Sequence, residues 1–171
     1  MPLEEWNQMG RQSWLRSVAA SPEWNVSLFS FLLHFVWETW QMPFYEDGVT
    51  MPHWTGIGIC TRATLGDVGI ALFAFGIPAY VQAGRLWILS PKRTEWVTYL
   101  AVGLLITIVF EYVAVDVLGR WSYAVWMPTL PPLGTGLLPI LQWIVIPILV
   151  VPLAARQVRG ARVDGRSVEE Q

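Results

Sequence analysis

Six polar side chains interrupt an apolar stretch near the N-terminus at helical spacing. They follow one another in steps of three or four residues: Ser27, Ser30, His34, Glu38, Gln41 and Tyr45. Such steps place all six on one face of a helix. Carboxyl and imidazole groups at membrane depth are costly, and both can give and take protons. This face predicts a proton-transfer site with His34 and Glu38 as reactive groups, or else a set of interhelical hydrogen bonds.

Polar residues in three later apolar segments supply the other candidates. Asp67 lies in the second segment, and Gln142 and Trp143 lie in the fourth. The third contributes Thr107, Glu111 and Tyr112. Counted along helices that alternate in direction, these groups fall in the same outer half of the bilayer and form one cluster. We expect His34 and Glu38, with Asp67 or Glu111 as the second acid, to be catalytic. The residues expected to contact substrate are Gln41, Tyr45, Thr107, Tyr112, Gln142 and Trp143.

The composition indicates which elements position these residues. The chain has 171 residues, of which 54% are hydrophobic and 14% are charged, against about a quarter charged in ordinary soluble domains. A membrane-spanning helix needs ~20 largely apolar residues. Four segments approach that length, at 25–44, 63–83, 95–118 and 136–155. The sequence therefore predicts an all-α, four-transmembrane-helix bundle that is an integral, multi-pass membrane protein.

The basic residues predict the orientation of these spans. Nine of the eleven lie before the first span, between the second and third, or after the fourth. Four spans put those three regions on one side, and the positive-inside rule makes that side cytoplasmic. Both termini are then cytoplasmic, in a cell inner membrane or, in a eukaryote, the endoplasmic reticulum. We divide the chain into an interfacial segment (1–24), a transmembrane domain (25–155) and a polar cytoplasmic tail (156–171) that we expect to be disordered.

Two sequence patterns resemble a known family. Residues 34–47 read H-x-V-x-E-x-W-x-x-x-x-Y-E-D, and residues 143–147 read W-x-V-x-P. Both are similar to helices of the emopamil-binding protein family, the sterol Δ8–Δ7 isomerases of the EXPERA group. The resemblance implies a four-helix membrane bundle with cytoplasmic termini, in which His34, Glu38 and Trp143 line a sterol pocket. Asp67 is its nearest equivalent of the family's second acid, and Ile140 stands at the family's asparagine position.

The activity that the resemblance implies is isomerisation of a double bond in a sterol or other isoprenoid lipid. One carbon receives a proton while a neighbouring carbon loses one, so a pair of carboxyl groups suits the reaction. A non-catalytic lipid or sterol binder, like the sigma-2 receptor, and a proton-coupled transporter are the alternatives. The partners we expect are a hydrophobic lipid-like molecule and membrane lipids, with a second copy of the chain as a further candidate. We expect no cofactor or metal, and a net charge of −2 gives no reason to expect nucleic acid.

Overall fold

The computed structural model describes residues 14–132 and 134–169, and most of them are helical. The protein is therefore all-α, as the sequence predicts. Four long helices account for most of the chain: α1 (Pro22–Gln41), α2 (His53–Pro78), α3 (Arg93–Tyr112) and α4 (Leu137–Glu169). Residues 14–19 are also helical, and residues 1–13 of the expected interfacial segment lie outside the described part. A two-stranded antiparallel hairpin, β1 (Thr129–Leu130) and β2 (Thr135–Gly136), precedes α4.

Local sequence signals set both ends of α1. The hydroxyl of Ser21 caps the helix by accepting a hydrogen bond from the backbone N–H of Trp24 at 3.3 Å. Pro22 follows at the first helical position, where its missing N–H has no partner to lose. At the other end Pro43 lacks the backbone N–H that would continue the α-helical hydrogen bonds, and the chain tightens into a 3-10 turn at Met42–Phe44.

Two helices continue beyond their α-helical parts in wider turns. A π-helical turn, Ala79–Ala83, extends α2 until Gly84, whose positive φ of 73° ends it. A second π-helical turn, Val113–Val117, extends α3. A 3-10 turn at Trp87–Leu89 lies in the connection from α2 to α3.

The structure moves two of the expected boundaries. The second helix begins at His53, ten residues before the apolar segment that predicts it, so Arg62 lies within α2 rather than in a loop. The expectation of a disordered tail from residue 156 is wrong, because α4 continues to Glu169. The start of this segment packs against the 3-10 turn at Trp87–Leu89. Val158 is buried there, and the guanidinium of Arg159 donates a hydrogen bond to the backbone oxygen of Leu89. Residues 170–171 lie outside the described part.

The four helices pack in a closed ring. The helix α1 contacts α2 and α4, and α3 contacts the same two helices from the other side. Large buried side chains fill the centre: Val26, Phe75, Trp87, Tyr99, Trp143 and Val150. This ring brings the polar faces of the helices toward a common axis.

Three helical segments are long and apolar enough to cross a membrane: His53–Val81, Arg93–Val117 and Leu137–Val163. The chain is therefore an integral membrane protein. The helix α1 is not among the three, because the polar side chains on one of its faces lower its mean hydropathy. We call this face the polar stripe: Ser27, Ser30, His34, Glu38 and Gln41.

Candidate functional site

The polar stripe of α1 faces the interior of the protein. Ser30, His34 and Gln41 are buried, Glu38 is half-buried, and Val36 on the opposite face is 67% exposed. His34, Glu38 and Gln41 find hydrogen-bond partners on neighbouring helices, as described below, which makes their burial possible. The hydroxyl of Ser30 has no hydrogen-bond partner among the described residues. The three-and-four spacing thus predicts correctly which side of α1 packs inward.

The side-chain amide of Gln142 joins three candidate catalytic residues. Its Nε2 lies 2.8 Å from Nδ1 of His34, 3.0 Å from Oε1 of Glu38 and 3.1 Å from Oδ2 of Asp67. His34 and Asp67 also contact each other directly, with 3.3 Å between Nδ1 and Oδ2. Side chains from α1, α2 and α4 therefore meet at one nitrogen atom. We call His34, Glu38, Asp67 and Gln142 the polar cluster.

The amide of Gln142 has fewer hydrogens than it has neighbouring acceptors. It carries two N–H groups, and three potential acceptors lie within hydrogen-bond distance of it. His34 Nδ1 and Asp67 Oδ2 also lie 3.3 Å apart, close enough for a proton on one of them to be donated to the other. The geometry thus places a pair of groups that can share a proton beside the carboxyl group of Glu38.

Two residues of α1 extend the polar cluster toward the end of the helix. Gln41 Nε2 donates to Glu38 Oε1 at 2.8 Å and approaches Gln142 Oε1 at 3.4 Å. The indole N–H of Trp37 donates to Gln41 Oε1 at 3.0 Å. Glu38 Oε1 therefore accepts from two amides, which fixes the orientation of its carboxyl group.

Trp143 forms an aromatic wall beside His34. It is buried, and the centroids of the two rings lie 5.3 Å apart. Its indole N–H has no hydrogen-bond partner among the described residues. The resemblance implies that His34, Glu38 and Trp143 belong to one site, and the structure brings these three residues together.

Glu111 forms a hydrogen bond with a residue outside the polar cluster. Its carboxylate accepts a hydrogen bond from the hydroxyl of Tyr123, which in turn accepts one from the backbone N–H of Gly136 at 3.0 Å. Burial, and then the nearby charge of Glu111, raises the pKa of Tyr123, so its phenol keeps its proton. Of the two expected second acids, the structure joins Asp67 to Glu38 through Gln142 and pairs Glu111 with Tyr123. No spacing in the sequence links Tyr123 to Glu111.

The connection between α3 and α4 is held over this end of the protein. Backbone hydrogen bonds join Glu46 to Ser122 and Ala124 to Phe44, each at 3.0 Å. The ring of Tyr45 packs against that of Tyr123, with 5.7 Å between centroids. Tyr45, expected to contact substrate, therefore supports the segment that carries Tyr123.

Two further candidates from α3 occupy different environments. Thr107 is buried, and its hydroxyl has no hydrogen-bond partner among the described residues. Tyr112 is 43% exposed on the outer surface, because one residue along a helix turns the side chain by about 100° from Glu111. Tyr112 is thus outside the polar cluster.

Comparison with known proteins adds no relative. No protein-family model matches the chain, and searches of curated proteins and of solved structures gave no match. Within the described ranges, no group of three or more histidine, cysteine or acidic side chains is arranged to hold a metal ion. The functional argument therefore depends on the polar cluster itself.

Proposed function

We propose that all four helices cross the membrane as a bundle of the EXPERA type, with both termini in the cytoplasm. Residues 25–41 of α1 rise about 25 Å, close to the ~30 Å thickness of the hydrocarbon core and within the range of transmembrane helix lengths. Within α1, residues 25–41 cross the hydrocarbon, and Glu23 lies at headgroup level. The distribution of basic residues supports the orientation, because Arg85, Lys92 and Arg93 lie between α2 and α3 and four arginines follow residue 155.

We further propose that the protein isomerises a double bond in a sterol or other isoprenoid lipid by proton transfer. The observation that carries this proposal is the convergence of His34, Glu38 and Asp67 on the amide of Gln142. Two carboxyl groups and an imidazole within hydrogen-bond distance of one amide inside a membrane bundle suit acid–base chemistry on a hydrophobic substrate. The membrane location supports a lipid as that substrate.

The reaction balances with the groups of the polar cluster. Glu38, protonated, transfers its proton to one alkene carbon, and the electrons of the double bond form the new C–H bond. The neighbouring carbon becomes a cation, which the face of Trp143 stabilises. A C–H bond on the far side of the cation then breaks, its electrons form the new double bond, and its proton goes to the His34–Asp67 pair. The polar cluster holds the same number of protons before and after turnover.

Glu38→Gln tests the role of the acid. The glutamine oxygen still accepts the hydrogen bonds from Gln41 and Gln142, so the variant is expected to fold, while it has no carboxyl proton to transfer. We expect loss of at least ~100-fold in turnover of sterol and polyprenoid candidates, the lower range for removing a general acid. The exposed Glu46→Gln is the matched control and is expected to retain full activity. Full activity in folded Glu38→Gln would refute the assignment.

A second candidate function is binding of a lipid without catalysis. Two observations favour it. The polar cluster is hydrogen-bonded to itself, and two open cavities on the protein are lined by other residues. In that case a lipid hydroxyl or amine replaces one of these internal hydrogen bonds. Binding without proton exchange at carbon distinguishes this function from isomerisation.

A further inference from the structure

A groove lies at the end of the protein opposite the polar cluster. Its volume is about 510 Å³, within the ~300–1,000 Å³ range of small-molecule sites. The last turns of α2 and the π-helical turn form its largely apolar wall, with Leu72, Phe75, Gly76, Ala79 and Tyr80. Glu23 and Arg85 stand at its rim. Glu23 is 15 residues from Glu38 along α1, or roughly 22 Å at the rise of a helix, so the groove is separate from the polar cluster.

The two charged residues of the rim form an ion pair that can still interact with a further charged group. Arg85 donates from Nε to Glu23 Oε1 at 2.5 Å and from Nη2 to Oε2 at 2.7 Å. These bonds use two of the five N–H groups of a guanidinium. The carboxylate also accepts a hydrogen bond from the hydroxyl of Ser21 at 3.0 Å and interacts with the backbone N–H of its own residue, so its acceptor positions are nearly filled. Arg85 can contact an anion with its remaining N–H groups while it keeps Glu23. The side chain of Glu23 is 34% exposed, so its charge is accessible to a cation.

The position of the groove matches the headgroup level of a bilayer. Glu23 precedes the hydrocarbon-crossing part of α1, and Arg85 follows the π-helical turn that ends α2. Tyr80, in the π-helical turn, is 93% exposed, and Trp24, the residue after Glu23 in α1, is 52% exposed. Tyrosine and tryptophan are enriched at this depth in membrane proteins. The apolar wall then extends from the headgroup level into the hydrocarbon.

We propose that this groove binds one phospholipid with a phosphoethanolamine headgroup, its phosphate on Arg85 and its ammonium beside Glu23, with an acyl chain along the wall of α2. The two charges of the headgroup complement the two charges of the rim. A phosphocholine headgroup carries a quaternary ammonium without N–H groups and donates no hydrogen bond to Glu23. A phosphoglycerol headgroup is anionic without a cation, so the carboxylate of Glu23 opposes it.

Native mass spectrometry of the delipidated full-length protein in detergent tests this proposal. The probes are phosphatidylethanolamine, phosphatidylcholine and phosphatidylglycerol with identical acyl chains. We expect the first to bind with a dissociation constant roughly tenfold lower than the other two, the effect of about one charge-assisted hydrogen bond. Equal affinity for the three lipids, or tighter binding of phosphatidylglycerol, would overturn the proposal.

Three variants separate the headgroup contacts from the wall. Glu23→Gln is expected to remove the preference for phosphatidylethanolamine, and Arg85→Gln to weaken binding of all three lipids. Gly76→Leu fills the groove, since a β-carbon at Gly76 meets no atom within 4 Å, and leucine is also the better helix former. We expect it to abolish retention of a lipid in a folded protein. The exposed Arg62→Gln is the control, and unchanged binding in Gly76→Leu would refute the groove as the site.

Discussion

Gly103 of α3 allows the indole of Trp143 on α4 to pack directly against the backbone of α3. A β-carbon at Gly103 would lie 2.3 Å from Cε3 and 2.5 Å from Cζ3 of that ring. The ring of Trp143 also lies 5.3 Å from that of His34, so the packing at Gly103 affects the polar cluster. The absence of a side chain at Gly103 therefore sets the position of the aromatic wall beside the histidine.

Gly103→Ala is expected to displace Trp143. The added methyl group overlaps a rigid buried ring, and overpacking of this kind costs about 1–3 kcal/mol of unfolding free energy. Thermal unfolding in detergent measures the loss, and turnover should fall with it because His34 loses its neighbour. The matched control is Gly66→Ala, where a β-carbon meets nothing within 4 Å; there we expect unchanged or slightly higher stability. Equal effects of the two substitutions would show that the close contact is unimportant.

Tyr123→Phe is expected to loosen the connection between α3 and α4. The substitution removes the donor to Glu111 and the acceptor for the backbone N–H of Gly136, and leaving such groups unpaired costs about 1–3 kcal/mol. Hydrogen exchange of residues 118–136 should become faster while the four helices stay protected. Tyr80→Phe, at a tyrosine that is 93% exposed, should leave exchange unchanged. Protection of residues 118–136 at the original level would contradict this role of Tyr123.

The ion pair between Glu23 and Arg85 predicts a pH dependence of stability. The guanidinium of Arg85 lowers the pKa of Glu23 below its usual range, so the charged carboxylate is favoured in the folded protein. Its contribution is complete at neutral pH and is lost as the pH falls through the lowered pKa. The difference in unfolding midpoint between the unmodified protein and Glu23→Gln should be positive at pH 7 and shrink toward pH 3. A difference that grows on acidification would contradict the pairing.

Cysteine labelling tests the proposed four spans. The single cysteine, Cys60, is 3% exposed, and Cys60→Ala gives a background without thiols. Ser90→Cys and Gln157→Cys, both at exposed positions, should react with a membrane-impermeant reagent from the cytoplasmic side alone. Thr50→Cys, also exposed, should react from the opposite side alone. Labelling of Thr50→Cys and Ser90→Cys from the same side would show that α2 does not cross the membrane.

The sequence predicts the buried faces of the helices better than their ends. Steps of three and four residues identify the inner face of α1, because helical geometry alone fixes which side chains share a face. The lengths of the apolar segments do not predict the first ten residues of α2 or the last turns of α4, because a helix can continue in polar sequence beyond the hydrocarbon. The π-helical turns and the short hairpin likewise have no apolar pattern that predicts them.

The sequence does not distinguish between Asp67 and Glu111 as the partner of Glu38. Both lie at similar depth, so a count along the helices places both in one cluster. The distinction depends on the rotation of α2 and α3 about their axes, which packing against α1 and α4 determines. The central position of Gln142 depends on the same packing, because its amide contacts residues more than 70 positions away in the chain.

Hydrogen–deuterium exchange at lipid carbon is the most direct test of proton transfer by the polar cluster. The purified protein is incubated in deuterated water with sterol and polyprenoid candidates, and deuterium bound to carbon is measured by mass spectrometry. The account predicts incorporation next to the double bond by the unmodified protein and by Glu46→Gln, with none above background for Glu38→Gln. Lipid that binds to the unmodified protein without gaining carbon-bound deuterium would contradict the proposed isomerisation and favour a binding protein.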